Sequence, residues 1–595
     1  MLPSTVLLSF TPHHLPMMAG IGRKSVVASC CLASSSKRII VSAAAFSSDI
    51  ASNNESNNPM MLRDPSLLSD SLHVEGGGRS SLSSSDAASS SSSNDFFEVV
   101  DPGSSSGRNV IARVRRMDGS DTKEAITRAS SALASWKDGT TASHRSNLLL
   151  KWSSLIKENA NDIATVMTYE SGKPIAESHG EIIYGTSYLD YYAAEALRPT
   201  SAGGGSIIPT PFVSATTTAP TSSSLGGGGV PTTTTTTTTT TMPRGRIMTV
   251  NEAIGVCGLI TPWNFPIAMI TRKVGPALAA GCTIVLKPSE LTPLTAVILS
   301  VLADRAGIPP GVFELITTNT PTMVQEVGNE ICTNTNIKKI SFTGSTAVGK
   351  AIMKLSSTTV KRLSLELGGN APFIVFGDAD IDRAVTGAIS SKFRNAGQTC
   401  VCADRFIIHE SIVDEFVTKL TNKVREQITI GHGMKVGVTM GPVITSNQVQ
   451  LIKGKINDAI MAGATCIYDG SALDKLGPNY IQPTIITNIT PNMALWHTET
   501  FGPVISIITF TTEEEAIELA NDTPTGLASY FYTQDMGRIF RVSAALENGI
   551  VGVNEGIISS AYVPFGGVKE SGLGREGSIV GMNEYLETKY IFLNV

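Results

Sequence analysis

The sequence is poor in features that would identify several classes of protein. Only 8 of its 595 residues are cysteine, which is too few for a disulfide scaffold and favours a reducing compartment. Basic and acidic residues number 46 and 51, so the net charge of −5 predicts no nucleic-acid partner. No uninterrupted apolar run reaches the ~18 residues that a membrane span needs. The composition therefore predicts no membrane partner either.

Short motifs of several catalytic classes are also missing. There is no CxxC pair and no HExxH, and the histidines are scattered, so no metal site is predicted. The only G-x-S-x-G match, residues 103–107, lies in serine-rich sequence without a preceding strand, which argues against a serine nucleophile. Residues 344–351 resemble a P-loop, but Ala351 stands where Mg²⁺ needs a hydroxyl, which argues against a nucleoside triphosphatase.

The N-terminal region has the composition of a targeting segment. The first fifty residues contain several basic residues, many serines and one acid, Asp49, which favours a mitochondrial transit peptide. A plastid presequence and a disordered cytosolic extension are the alternatives. Residues 80–94 are nearly all serine, so we expect residues 1–95 to form a disordered extension outside the core.

The remaining length suits two or three domains. Short β-rich runs such as "IGVCGLIT", "CTIVLKP" and "IKKISFTG" alternate with helical stretches, including residues 146–169 and 174–197. That alternation predicts parallel sheets with crossover helices. A tract rich in glycine and threonine, including Thr232–Thr241, separates two alternating β-like runs, and we expect it to be the exposed tip of a hairpin.

Two segments place single polar side chains in settings that suit catalysis. In "TPWNFP", residues 261–266, a rigid turn can fix the Asn264 amide as a donor to an oxyanion, although Asn264 could instead cap the next helix. In "SLELGGN", residues 364–370, Glu366 follows an apolar run, so its pKa should be raised, as a general base requires. A buried structural ion pair is the alternative for Glu366.

The segment "FRNAGQTCVCADRF", residues 393–406, contains the candidate nucleophile. A free cysteine most often fills core space, but Cys400 follows the polar, turn-like Gly397-Gln398-Thr399, which favours exposure and activation. Upstream, Gly344 and Ser345 lie in a turn between a β-rich run and a helix. Such a turn can hold a pyrophosphate, although this signal alone is weak.

The order of these segments resembles the aldehyde dehydrogenase superfamily from near Asp101 to the C-terminus. The resemblance depends on the joint occurrence of "TPWNFP", "LKPSE", "FTGSTAVGK", "LELGGN", "NAGQTC", "TETFGPV" and "PFGGVKESGLGREG". Within the superfamily the sequence is similar to the succinate-semialdehyde branch, through "ITRKVGPALAAGCTIVLKP", "GVNEGIISS" and the full segment around Cys400.

The resemblance implies an α/β fold with a Rossmann-like cofactor domain, an α/β catalytic domain and a small β oligomerisation domain. The NAD-binding domain is expected at 96–201 and 253–366, and the catalytic domain at 367–583. The oligomerisation hairpin and C-terminal strand are expected at 202–252 and 584–595, with the insertion at about 214–242. Family members are dimers or tetramers, so a homo-oligomer is implied.

The resemblance also implies a mechanism and a cofactor site. Cys400 attacks an aldehyde, Asn264 and a backbone N–H hold the oxyanion, and Glu366 activates the water that hydrolyses a thioester. NAD is favoured over NADP, because a carboxylate at Glu290 accepts from a ribose 2′-OH and repels a 2′-phosphate. The implied cofactor residues are Thr261, Pro262, Trp263, Lys287, Glu290, Gly344, Ser345, Glu499 and Phe501.

In the semialdehyde branch, Arg272, Arg394 and Ser559 are the implied ligands of the substrate's distal carboxylate, a task that suits the planar guanidinium. Structural ion pairs at the arginines are the alternative, in which case another small aldehyde such as glutarate semialdehyde is the substrate. A catalytically silent member of the superfamily is a further alternative. Cys402 is either a redox partner of Cys400, through a strained and easily reduced disulfide, or a packed spectator thiol.

Overall fold

The computed structural model describes residues 60–69, 95–199, 201–209, 245–469, 473 and 475–594. The expected transit peptide, the serine-rich stretch and the glycine/threonine-rich insertion lie outside these described residues. Within them, no helix has the length and apolar character that crossing a membrane requires.

Helices and strands alternate along most of the described chain. The helices are α1 Ser66–Ser69, α2 Gly119–Lys137, α3 Ala142–Glu158, α4 Ala160–Ser171, α5 Ile175–Glu195, α6 Ala268–Ala280, α7 Pro293–Ala306, α8 Pro321–Thr333, α9 Thr346–Ser356, α10 Ile381–Lys392, α11 Val413–Gln427, α12 Ser446–Met461, α13 Ala494–His497, α14 Glu513–Asn521, α15 Met536–Ala545 and α16 Ser578–Asn583. The strands are β1 Phe96–Asp101, β2 Asn109–Arg115, β3 Gly205–Pro209, β4 Gly245–Ala253, β5 Val256–Ile260, β6 Thr283–Lys287, β7 Phe313–Leu315, β8 Ile337–Thr343, β9 Arg362–Glu366, β10 Ala371–Val375, β11 Ala403–His409, β12 Thr465–Asp469, β13 Thr484–Thr487, β14 Val504–Phe510, β15 Thr525–Gly526, β16 Ala528–Tyr532, β17 Ile550–Val553, β18 Val568–Lys569, β19 Gly572–Leu573 and β20 Leu586–Asn594.

A six-stranded sheet in the order β19-β9-β8-β5-β6-β7 contains the first α/β series. Strands β5 to β9 pair in parallel, as the alternating pattern predicted, and β5, β6 and β8 are almost entirely buried. The parallel ladder leaves the carboxyl ends of β5, β8 and β9 along one edge. The short β19 pairs antiparallel with β9 and comes from the segment expected in the other domain, which the sequence did not predict.

A seven-stranded sheet in the order β12-β13-β14-β11-β10-β16-β17 contains the second series. All its pairings are parallel except that of the edge strand β12 with β13. A third sheet, β20-β4-β3, is antiparallel and joins the two arms of the expected hairpin to the C-terminal strand. The three sheets draw on the segments proposed as domains, and the domain boundaries themselves stay predictions.

The expected helix over 146–169 is two helices, α3 and α4, separated at Asn159. The Asn159 side chain donates to the Leu155 carbonyl at 2.8 Å, so it competes with the helix ladder and ends α3. Apolar residues recur at helical spacing on both sides of Asn159, so the sequence pattern did not reveal the break between α3 and α4.

Part of the expected N-terminal extension belongs to the folded core. Met60 and Leu67 are 5% and 0% exposed and pack into the core that includes α7. The Asp162 carboxylate accepts the backbone N–H groups of Arg63 and Asp64 at 3.0 and 2.8 Å. The expectation that residues 1–95 lie outside the core is therefore wrong for 60–69, because serine-rich flanks hid a short apolar segment.

Candidate active site

A pocket of about 340 Å³ lies between the edges of the two large sheets. The carboxyl ends of β5, β8 and β9 reach it from one sheet, and the segments entering β11 and β14 reach it from the other. Its lining residues are Pro262, Trp263, Asn264, Thr343, Gly344, Ser345, Leu367, Gly368, Cys400, Gln448, Leu451, Lys455, Glu499, Thr500 and Phe501. We call it the Cys400 pocket. Ligand sites at the carboxyl ends of parallel strands are a general property of such sheets.

Cys400 is half-buried in this pocket, three residues before β11. Burial raises the pKa of its thiol to about 12, although the nearby positive charge of Arg272 opposes the shift. The thiol is therefore protonated near neutral pH, and its use as a nucleophile requires a neighbouring base. Its carbonyl approaches Gly369 so closely that a Cβ there would lie 2.3 Å from the oxygen.

Asn264 faces the same pocket and is held from several sides. Lys173 Nζ and Asn395 Nδ2 donate to its backbone carbonyl at 2.8 and 3.0 Å, and its own Nδ2 donates to the Gln398 carbonyl at 3.0 Å. The helix-cap alternative is wrong, because α6 begins at Ala268 and Asn264 makes no capping bond to it. The Asn264 amide is thus a fixed group in the lining of the Cys400 pocket.

Glu366 ends β9 directly before the pocket residues Leu367 and Gly368, and is itself 2% exposed. Burial, reinforced by the negative charge of Glu576, raises the pKa of Glu366 well above its ordinary value. Among the described residues Glu366 forms no ion pair, so the structural ion-pair alternative is not observed. Its carboxylate also influences the Cys400 thiol electrostatically, which places the two groups in one neighbourhood.

The two candidate substrate arginines lie in different environments. Arg272 is 1% exposed and forms an ion pair with Glu576, which also pairs with Lys273. Arg394 is half-buried, and its guanidinium lies 5.2 Å from the centre of the Phe265 ring. Within the described part of the chain Arg394 has no ion-pair partner. Ser559 is half-buried in the loop after β17, and none of the three residues lines the Cys400 pocket.

The implied cofactor residues divide into two groups. Pro262, Trp263, Gly344, Ser345, Glu499 and Phe501 line the Cys400 pocket. The other three do not line it. Thr261 donates its backbone N–H to the Lys287 carbonyl at 3.1 Å, and Lys287 Nζ pairs with Glu290 at 3.0 Å.

The pocket has properties that fit a dinucleotide. Ser345 caps α9, so the N-terminal N–H groups of this helix are directed towards the pocket. Thr343 Oγ1 and Asn264 Oδ1 are buried there without a hydrogen-bond partner. The absence of a side chain at Gly368 lets the Glu499 carboxylate lie close to the backbone, since a Cβ at Gly368 would lie 3.0 Å from Glu499 Oε2. Burial and the charge of Asp404 raise the pKa of Glu499 to about 8.

Two pocket residues on α12, Gln448 and Lys455, were missed by sequence reasoning. Lys455 Nζ donates to the Glu499 carbonyl at 2.7 Å, and Gln448 Nε2 donates to the carbonyls of Thr500 and Phe501, each at 3.3 Å. These two side chains come from an ordinary amphipathic helix without a recognisable motif, so no sequence signal could have found them.

Cys402 is 4% exposed, and both it and Cys400 are free thiols in this structure. Redox cycling of the pair stays a prediction. In the described ranges no group of three or more histidine, cysteine or acidic side chains is arranged to hold a metal ion.

Comparisons with known proteins agree with this geometry. The sequence model of the aldehyde dehydrogenase family matches residues 88–591. The chain is 45% identical over 497 residues to mitochondrial succinate-semialdehyde dehydrogenase from Homo sapiens, covering 83% of this chain and 85% of the relative. It is 43% identical over 498 residues to succinate-semialdehyde dehydrogenase [NADP(+)] 1 from Schizosaccharomyces pombe, covering 84% and 92%. The crystal structure of Staphylococcus aureus betaine aldehyde dehydrogenase in complex with NAD+ matches with a TM-score of 0.76 and 32% identity, over 89% of this chain and 95% of that one.

Proposed function

The chain belongs to the aldehyde dehydrogenase family, and from that premise we propose that it oxidises succinate semialdehyde to succinate with NAD(P). The observation that carries the substrate assignment is Arg394, a cation without an ion-pair partner among the described residues, six positions before Cys400. A guanidinium outside any ion pair of the described structure is suited to bind the carboxylate of the substrate.

In the proposed mechanism Cys400 attacks the aldehyde carbon and its thiol proton passes to a base. Glu366 is the candidate base, because its raised pKa makes its carboxylate a stronger proton acceptor than an ordinary glutamate. The new oxyanion is held by Asn264 Nδ2 and the Cys400 backbone N–H. The bound cofactor supplies a hydride acceptor. Glu366 then releases the thiol proton to solvent, and as a carboxylate it deprotonates the water that hydrolyses the Cys400 thioester and releases the acid.

The substrate carboxylate is proposed to bind chiefly at Arg394. Arg272 shares the buried carboxylate of Glu576 with Lys273, so most of its charge is already neutralised. One of its guanidinium nitrogens, Nη2, is buried without a partner and remains available to a ligand. Ser559 is proposed as a third, neutral contact. Glutarate semialdehyde is the alternative substrate, since its carboxylate could use the same groups.

The test is a kcat/KM panel of aldehydes with wild-type enzyme, Arg394→Ala and Cys400→Ala. We expect Arg394→Ala to raise KM for succinate semialdehyde roughly 10- to 100-fold, because a charge-assisted contact is worth roughly 1.5–3 kcal/mol. Acetaldehyde, which has no carboxylate, should keep its KM. An equal loss on both substrates would contradict the role of Arg394, and no wild-type activity on any aldehyde would favour a silent protein.

We propose NAD as the preferred cofactor and a mitochondrial location. Glu290 is half-exposed beside Lys287, where a carboxylate disfavours a 2′-phosphate. The Schizosaccharomyces pombe relative named for NADP(+) makes NADP the alternative. Relatives named mitochondrial and the basic N-terminal composition support the location, with plastid and cytoplasm as alternatives. Self-association as a homodimer or homotetramer is also proposed.

A further inference from the structure

The turn before the nucleophile has an unfavourable backbone conformation. Asn395, Ala396 and Gly397 have φ values of 51°, 54° and 77°. Gly397 is required there, since a Cβ would lie 2.3 Å from the Gly502 carbonyl. The other two carry side chains, and each such residue costs on the order of 1–2 kcal/mol in the left-handed region. Surrounding contacts must therefore hold this turn in place.

Glu177, in the first turn of α5, supplies one of those contacts. Its carboxylate accepts the Asn395 backbone N–H at 2.9 Å. Asn395 in turn donates from Nδ2 to the carbonyls of Asn264 and Gln398, at 3.0 and 3.3 Å. The Glu177 carboxylate thus anchors the turn that lies between Arg394 and Cys400 and that is hydrogen-bonded to Asn264.

Glu177 also lies among charged groups. Lys173 precedes α5, Arg394 comes from the turn, and Glu181 is one helical turn away on α5. Lys173 and Glu181 already form a buried ion pair with each other. The Glu177 charge therefore acts on Lys173 first and also on Arg394, which has no ion pair within the described part of the chain and whose charge is not already balanced.

We propose that Glu177 is a positioning residue that holds the Arg394–Gly397 turn through the Asn395 N–H, and that its negative charge weakens the affinity of Arg394 for carboxylated aldehydes. The inference rests on the proposed function, because it assigns substrate binding to Arg394. It adds a specificity determinant that does not itself touch the substrate.

The charge effect should depend on pH in the working range. Burial, opposed by Lys173, the Asn395 N–H and Arg394, raises the pKa of Glu177 to about 7. Glu177 is therefore largely neutral at pH 6 and ionised at pH 8.5, whereas the substrate carboxylate is ionised at both. We expect KM for succinate semialdehyde to rise about threefold between these values, since nearby charges interact measurably at a half-buried site. KM for acetaldehyde, which has no carboxylate, should not change between these pH values.

Two substitutions separate the roles of the charge and the hydrogen bond. Glu177→Gln keeps an acceptor for the Asn395 N–H but removes the charge, so kcat should stay within about twofold while the pH-dependent rise in KM disappears. Glu177→Ala removes both, so kcat should fall about tenfold on both aldehydes. KM is independent of the fraction of folded enzyme, so partial unfolding does not obscure the KM readout, and kcat is referred to the concentration of folded enzyme. Glu124→Gln on α2, whose side chain is 71% exposed, is the matched control.

A rescue variant tests positioning directly. Adding Ala396→Gly to Glu177→Ala relieves strain at the turn without removing a side-chain hydrogen bond, so part of the lost kcat should return. The inference is overturned if Glu177→Gln keeps the pH-dependent KM, or if Glu177→Ala has the kcat of the wild type. The proposed function fails separately, if wild-type enzyme does not prefer the carboxylated aldehyde or Arg394→Ala leaves that preference intact.

Discussion

Cys400 lines the candidate active-site pocket, but its thiol has the raised pKa of a buried cysteine. Burial raises its pKa to about 12, against about 8.5 for an unperturbed cysteine. Thiolate formation in the cofactor-free enzyme is therefore unfavourable at neutral pH, and the proposed mechanism needs Glu366 close by to receive the proton.

Alkylation of Cys400 in cofactor-free enzyme should consequently accelerate from pH 7 to pH 10 without levelling off. The thiolate fraction, which reacts with iodoacetamide, keeps rising throughout that range when the pKa lies above it. Mass spectrometry of the Cys400 peptide measures the rate, in a Cys402→Ala background that removes the neighbouring thiol. A plateau below pH 8 would show that the pKa is not raised.

Arg272 lies in a buried ion pair and Arg394 does not, so we expect their substitutions to affect the stability of the protein differently. Arg272→Met leaves the buried Glu576 with Lys273 alone, so we expect a loss of on the order of 3 kcal/mol in stability. Arg394→Met breaks no ion pair of the described structure and should change stability by less than about 1 kcal/mol. Thermal unfolding at one fixed protein concentration compares the two. Equal losses would contradict the contrast.

Helix α12 holds the segment 499–501 in a conformation that this segment would not adopt alone. Phe501 has a φ of 49° despite its bulky side chain. Three successive carbonyls, of Glu499, Thr500 and Phe501, accept from Lys455 and Gln448, while the Thr500 N–H donates to Asp404 at 3.1 Å. The helix therefore fixes the Glu499 and Phe501 side chains that face the pocket.

Lys455→Met should weaken cofactor binding about tenfold, since a hydrogen bond from a charged group is worth roughly 1.5–3 kcal/mol. NADH fluorescence titration measures the dissociation constant without any dependence on turnover. The matched control is Lys453→Met, because Lys453 is exposed on the same helix and does not line the Cys400 pocket. Unchanged affinity in Lys455→Met, or the same loss in both variants, would contradict the clamping role.

The site illustrates what local sequence can and cannot predict. Local sequence singled out Asn264 and Cys400 because each lies at a turn signal next to a strand, and both line the Cys400 pocket. It singled out Glu366 as a lone acid in an apolar run, and the catalytic roles of all three stay predictions. The Glu576 partner of Arg272 lies 304 positions away in sequence, so only the fold reveals the pairing. The parallel sheets could be predicted from β-rich runs in the sequence. The β19–β9 pairing could not, because β19 has only two residues and is too short to show a pattern.

The two large sheets meet at the Cys400 pocket. The first sheet contributes side chains from the carboxyl ends of its strands, and the second contributes side chains from segments that precede its strands. Carboxyl ends of β5, β8 and β9 present Asn264, Thr343 and the residues after Glu366, while the segments before β11 and β14 present Cys400 and Glu499. The candidate cofactor residues therefore come from both sheets, and the spacing between Cys400 and Asn264 depends on how the sheets pack. Residues 60–69 pack with α7 in the core cluster that contains β5 and β6, and Arg305 pairs with Asp64 at 2.7 Å.

The small sheet β20-β4-β3 has partly exposed apolar side chains on both faces. Register places Ile208, Ile247 and Phe592 on one face, with Phe592 42% exposed. Ile207 lies on the other face and is 73% exposed. A three-stranded sheet with both faces accessible is marginal alone and typical of an interface.

We expect the wild-type enzyme to sediment as a dimer or larger assembly, and Phe592→Asp to shift it towards monomer at micromolar concentration. The carboxylate would have to be buried without a partner in the interface, which costs several kcal/mol. Phe540→Asp is the control, because Phe540 is 71% exposed on α15, away from the sheet, and should leave the assembly unchanged. A monomeric wild type, or dissociation in both variants alike, would place the interface elsewhere and leave the exposed apolar faces of β3 and β20 without an occupant.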